Sequence, residues 1–322
     1  MQHFNTLAGV GIAVAMLAGG AQAQVVSVAT GAQGSLAYNS GQAVAVVAND
    51  NGITVRTQPL VGYMPLLNSG EVDFGYANGA EAAFAYTGAG NFDREHPNVR
   101  LVATLFNLTT GIMAPCDLGL ETVNDLAGRS DLRIASEYTS STIIPFYIAG
   151  TLATADLGYD DFTPVPVSSF VAGINALGDG LVDMALVSLN AGAGQQAAVK
   201  LQDRGGLCYI SMNDTSEALA AYIDVLPSGT IRTLPQNENL NGLQNWGASI
   251  VSVPWTLMAN ADVDEELVYD LISVVHKNQE ALGASFGLFN SANFDAMAPQ
   301  NAMPYHPGAV RYYEEIGMTV GQ

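Results

Sequence analysis

Apolar and polar positions alternate between two periods along most of the chain. Val25-Val26-Ser27-Val28-Ala29 predicts a strand, Leu36 to Ala48 carries helical spacing, and Thr30 to Ser35 predicts the tight Gly- and Ser-containing turn between them. A helix that opens after such a turn leaves free N–H groups and the positive end of its dipole facing outward, suited to holding a small anion or polar ligand. Residues 53–57 read as the next strand. A helix over about 62–69 follows, with Pro65 in its first turn and Gly70 at its end, and then a strand over 72–77. Asn78 opens the next helix with Glu81 in capping-box spacing, and Gly88 stops it. Residues 91–100 are a polar loop, and 101–113 form a long strand able to leave this first unit.

The plan then recurs. Leu67-Asn68-Ser69-Gly70-Glu71-Val72-Asp73 returns as Leu177-Gly178-Asp179-Gly180-Leu181-Val182-Asp183, each copy ending a helix and opening a strand. At that offset Asn78 corresponds to Ser188, so each unit is expected to present a polar helix cap at the carboxyl end of a strand. Residues 132–136 predict a second opening strand, with Thr139-Ser140-Ser141-Thr142 as its strand-to-helix turn before 143–155. Four polar turns then share one rim, where open α/β sheets bind ligands. Strand pattern resumes at 248–253. A long amphipathic helix capped by Asp262 should run to Gly283, and a last helix from His306-Pro307 to Gly317 should carry an Arg311 to Glu315 pair.

Composition narrows the partners. Thirty acidic against ten basic residues give a formal charge of -20, which makes nucleic acid and anionic membrane surfaces poor partners. Residues 4–20 are almost wholly apolar or small and precede Ala21-Gln22-Ala23, so residues 1–23 read as a secretory signal peptide despite an n-region without Lys or Arg. Export to an oxidising compartment makes the two cysteines, Cys116 and Cys208, an expected disulfide rather than a metal site. No metal or cofactor is expected.

The motifs Ala29-Thr30-Gly31-x-x-Gly34-Ser35-x-x-Tyr38, Leu67-x-x-Gly70-Glu71-Val72-Asp73, Asp125-Leu126-Ala127-Gly128, Ser140-x-Thr142, Val268-Tyr269 and His306-Pro307-Gly308-Ala309-x-Arg311-Tyr312-Tyr313 resemble the TAXI-type solute receptors of tripartite ATP-independent periplasmic (TRAP) transporters. The resemblance implies an α/β, two-lobed type II periplasmic-binding-protein fold, each lobe a mainly parallel sheet flanked by helices, with a hinge of two crossovers. Residues 24–112 and 248–322 would form lobe 1 and 113–247 lobe 2. It also implies a periplasmic protein that closes on a small organic anion, such as an amino acid, dicarboxylate or keto acid, and passes it to a TRAP membrane permease.

The expected ligand set is Thr30, Gly31, Gly34, Ser35, Tyr38, Asn78, Ser140, Ser141, Thr142, Ser188 and Asn190. Where the family usually has Gly-Ser-Gly-Thr this chain has Thr139-Ser140-Ser141-Thr142, and Tyr63 stands where a capping serine is common. The arginines are scattered and none lies in a candidate turn, so no bidentate arginine clamp is expected. An enzyme on the same fold is the rival reading, but it lacks a base near the turn hydroxyls. A sensor partner that docks a membrane receptor is the other.

Overall fold

The fold is that of a computed structural model, which describes residues 25–321 except 31, 32, 34, 61 and 190. The expected leader at 1–23, and Gly31, Gly34 and Asn190 of the candidate turns, lie outside the described residues.

Successive βα units open the chain: β1 (Val26–Ala29), α1 (Leu36–Asp50), β2 (Val55–Gln58), α2 (Met64–Ser69), β3 (Phe74–Asn78) and α3 (Gly79–Thr87), followed by the long strand β4 (Val99–Pro115). The plan repeats as β5 (Arg133–Glu137), α4 (Ile144–Ala153), β6 (Thr163–Val167), α5 (Phe170–Gly178), β7 (Ala185–Ser188) and α6 (Gly192–Lys200). Then come β8 (Leu207–Tyr209), α7 (Ser216–Val225), β9 (Thr230–Leu234), the second long strand β10 (Ala248–Asn260), α8 (Glu265–Lys277), α9 (Gln279–Ser285) and α10 (Pro307–Glu315).

Parallel pairing holds among the βα strands: β1 with β2 and β3, and β5 with β6, while Ile134 bridges Met184 in the same sense. The long strands run antiparallel to each other and to their flanking strands β3, β7, β8 and β9. At roughly 3.3 Å per residue β4 is about 55 Å long, enough to traverse both lobes. Its residues up to Phe106 pack with Val28, Phe74, Leu271 and Tyr313, whereas Ile112 and Met113 pack with Ile134, Ile148, Leu186 and Tyr222. On β10 the same change falls between Val253 and Trp255. The core therefore changes before Met113 on β4 and after residues 245–248 on β10.

The sequence repeat is a device for starting each lobe's sheet. Gly70 and Gly180 adopt φ of 78° and 70°, the left-handed turn that releases the chain from a helix into a strand. Three residues on, Asp73 accepts hydrogen bonds from the backbone N–H and hydroxyl of Ser27 on β1 at 2.7 and 2.8 Å. Asp183 accepts the backbone N–H of Arg133 on β5 at 2.9 Å and also its guanidinium. Each aspartate thus fixes the first strand of its lobe beside a later one.

The C-terminal third departs from the sequence pattern at its helix ends. Asp264, not Asp262, caps α8, accepting the N–H groups of Glu266 and Leu267, and the helix breaks at Asn278 instead of running to Gly283. Arg311 does not pair with Glu315: it reaches Glu266 on α8 at 2.7 Å and lies 4.4 Å from the Tyr269 ring centre, while the Tyr269 hydroxyl donates to Glu315. Bridging two helices buries apolar stem as well as pairing charge, which an exposed pair on one helix does not. Gly308 makes that packing possible, because a Cβ there would strike the backbone oxygen of Glu265. Gly308→Ala is expected to cost about 1–3 kcal/mol of stability, read as a lower urea midpoint with unchanged slope.

Candidate functional site

The carboxyl ends of β1, β3, β5 and β7 supply the candidate turns, and the structure gives them different roles. Ser35 caps α1, accepting the Tyr38 N–H at 3.1 Å, and Tyr38 is half-buried beside it. Thr30 is fully buried, its hydroxyl donating to the Gln58 carbonyl at 3.2 Å and its methyl group sitting against Gly41. Its side chain is thus engaged between β2 and α1. Asn78 caps α3 as expected, its carbonyl oxygen accepting the Glu81 N–H at 2.9 Å.

Ser188 is not a cap. Helix α6 starts at Gly192 with Ala191 before it, and the Ser188 hydroxyl instead donates to Thr110 Oγ1 at 3.4 Å, across the β4–β7 pair. The chain turns after the strand, the Ala191 N–H donating to the Ser188 carbonyl at 3.0 Å, so the equivalence to Asn78 ends with the strand.

In the second lobe Ser140 donates both its N–H and its hydroxyl to the Ser168 carbonyl, at 2.8 and 2.7 Å, and the Ser141 hydroxyl accepts the Phe170 N–H at 3.4 Å. Both serines tie the turn to the segment ahead of α5. Glu137 and Tyr138 hold the turn at φ of 63° and 47°, left-handed geometry that costs a non-glycine residue about 1 kcal/mol or more. Thr142 faces the other way: its hydroxyl accepts a hydrogen bond from the Asn91 side-chain amide at 3.2 Å, from the opposite lobe.

That contact is one of several across the seam between α3 and α4. Phe84 and Phe146 meet edge to face with ring centres 5.2 Å apart, and Ala80 and Phe84 of α3 join the apolar cluster of the second lobe while Ala82 and Ala85 pack on the first. Glu81 sits at this seam in the first turn of α3. Among the described residues its carboxylate accepts a weak hydrogen bond from the Asn78 side-chain amide at 3.4 Å, and burial pushes its pKa up to about 7, the neighbouring Asn91 side-chain amide offsetting only part of the rise. Its charge in turn helps to hold the Tyr63 and Tyr147 hydroxyls above their usual range, so Tyr63 on one lobe and Tyr147 on the other both lie within its field. Tyr147 is 1 % exposed and its hydroxyl has no partner among the described residues, nor does the side-chain oxygen of Asn91.

Sequence reasoning assigned Glu81 only to the capping box, because nothing local marks it as a carboxylate enclosed by a second lobe. It also placed Arg232 away from every candidate turn. The sheet carries β9 alongside β10, and the Arg232 guanidinium reaches Thr109 Oγ1 at 3.3 Å, where β4 passes between the lobes and next to the Thr110–Ser188 contact. A cation therefore stands at the crossover, and an acid stands at the α3–α4 seam. Among the described residues no cluster of His, Cys, Asp or Glu is arranged to hold a metal ion, and no helix is long and apolar enough to cross a membrane.

Solved structures share this architecture. MatC from Rhodopseudomonas palustris, with bound malate, is 15% identical over 84% of this chain and 90% of its own, with a TM-score of 0.51. A TctC solute-binding protein from Polaromonas, solved without ligand, is 14% identical over 84% of this chain and 90% of its own, with a TM-score of 0.53. The binding-protein component of an ABC phosphonate transporter from Pseudomonas aeruginosa matches at 14% identity over 84% of this chain and 81% of its own, with a TM-score of 0.53. Two cores, two long shared strands and a rim of polar turns between them define the two-lobed fold of the periplasmic solute-binding proteins. The chain belongs to the NMT1-like family, which it matches over residues 28–317.

Proposed function

We propose that the protein is an extracytoplasmic solute receptor that closes its two lobes on a small organic acid and delivers it to a TRAP-type membrane permease, as the TAXI-like motifs imply. The observation that carries this reading is the pair of contacts across the seam, Asn91 to Thr142 and Phe84 to Phe146, at the carboxyl ends of β3 and β5. Lobe 1 is then the chain up to the change of core on β4 together with everything after Pro254, and lobe 2 the part between. The N-termini of α1, α3 and α4 and the Arg232 guanidinium supply attraction for a carboxylate on a protein whose overall charge repels it. Tyr38, Asn78 and Thr142, with Gly31, Gly34 and Asn190 of the turns, remain the proposed contacts. No catalytic step is assigned, since the hydroxyls of Thr30 and Ser140 are already donated to main-chain carbonyls.

A thermal-shift screen against carboxylates and amino acids tests the reading, because a solute at 100 times its dissociation constant stabilises by about 2.7 kcal/mol. The saturated protein should also show a smaller scattering radius than the empty one. Thr142→Asp places a fixed carboxylate just ahead of α4, where it competes with the solute's own carboxylate for that helix N-terminus, and should weaken the best solute at least about tenfold. A panel with no hit, or a Thr142→Asp variant that binds normally, would remove the cleft from this role.

A further inference from the structure

Glu81 is an expensive residue to keep where it is. Its carboxylate has room for about four hydrogen bonds and, among the described residues, is met by the side-chain amides of Asn78, at 3.4 Å, and Asn91. Asn78 at the cap of its own helix, Tyr63 ahead of α2, Asn91 in the following loop and Tyr147 of the opposite lobe lie near it, and Asn91 in turn meets Thr142; none of these is basic, and the Tyr147 hydroxyl and the Asn91 side-chain oxygen are left without partners among the described residues. A glutamate serving only as a capping-box partner would turn back onto the main-chain N–H of its cap and remain in solvent. This one is enclosed between two lobes while retaining some exposed surface. It and the unpartnered oxygens of Asn91 and Tyr147 form a set rich in acceptors, at the place where a closing cleft would meet its solute.

Resting on the reading of this cleft as a solute site, we propose that Glu81 selects the solute by its amino group: the cleft takes an α-amino acid, its ammonium on Glu81 and Asn91, in preference to the keto acid or dicarboxylate of the same shape. A solute with only carboxylates would bring a second negative charge against Glu81 in an enclosed seam, and like charges there are strongly disfavoured. An ammonium supplies the three donors that the acceptors lack.

The test is calorimetric titration of the full mature chain with L-glutamate and L-leucine against 2-oxoglutarate and 4-methyl-2-oxopentanoate. At least one amino acid should bind about 100-fold more tightly than its keto acid, and Glu81→Gln should shrink that ratio to less than about tenfold, chiefly by weakening the amino acid. The wild-type ratio should also widen from pH 6 to pH 8.5 as Glu81 gives up its proton, with Tyr63 and Tyr147 neutral throughout. That arm needs no variant to fold. Keto acids that bind as well as the amino acids, or a ratio indifferent to both pH and Glu81→Gln, would overturn the selection by Glu81 and leave the solute-receptor function standing. Failure of all four probes at millimolar concentration would overturn both.

Discussion

Cys116→Ser together with Cys208→Ser should lower the stability of the second lobe by about 4–5 kcal/mol, among the largest effects of any double substitution in this chain. The bridge joins residues 92 apart in sequence, with Cys116 just past the end of β4 and Cys208 paired beside Ala114 on β8. The loop it closes contains β5, α4, β6, α5, β7 and α6, which is most of the second lobe. A cross-link of that span removes many conformations from the unfolded chain, and the cost of losing it rises only slowly with further length. Urea unfolding of the oxidised wild type against the double serine variant measures the difference. The loss should appear in the transition that exposes Tyr209 and Trp246, whose indole N–H donates to the Tyr209 carbonyl. A change under about 1 kcal/mol would mean that the lobe's own packing already restrains these ends.

What the sequence disclosed and what it hid follow from the range of the interactions involved. The repeated Gly70 to Asp73 and Gly180 to Asp183 segments were legible because a left-handed glycine and a strand-fixing carboxylate act within a few residues, and both aspartates do the same work in the folded lobes. Asn78 was legible for the same reason, since a cap is decided within one helical turn. Ser188 misled because its equivalence to Asn78 rests on the strand before it, while the start of α6 is set by the chain after it. Thr30 carried a family motif, yet its hydroxyl is taken up by Gln58, a partner that only the β1–β2 register reveals. Arg232 and Glu81 were hidden most deeply. One is brought to the crossover by strand pairing with β10, and the other is faced by Tyr147 from a lobe that begins far along the chain, at the seam where Phe84 meets Phe146.

Glu81→Gln should make the ligand-free protein more stable at pH 8 by about 2–3 kcal/mol and leave it nearly unchanged at pH 4, the magnitude being set by the rise of the Glu81 pKa from 4.5 to about 7. The sign follows from proton counts. Between those two values the folded protein holds a proton on Glu81 that the unfolded chain has released, so raising the pH pulls the equilibrium toward the unfolded state. Below about 4.5 both states are protonated and the penalty is absent; above about 7 both are ionised and it is complete. Glutamine keeps the shape and a hydrogen-bonding amide without the charge, so its stability curve should lack this fall, and the two curves should part between pH 4.5 and 7 and then run parallel. Melting temperatures of both proteins across that range, without solute, decide the matter. Superimposable curves would show that solvent reaches Glu81 freely and that its carboxylate is an ordinary surface group. Curves that part as described, together with a wild type that regains the difference when an amino acid binds, would mark Glu81 as a site where stability is given up for recognition, the usual exchange at a functional carboxylate held out of water.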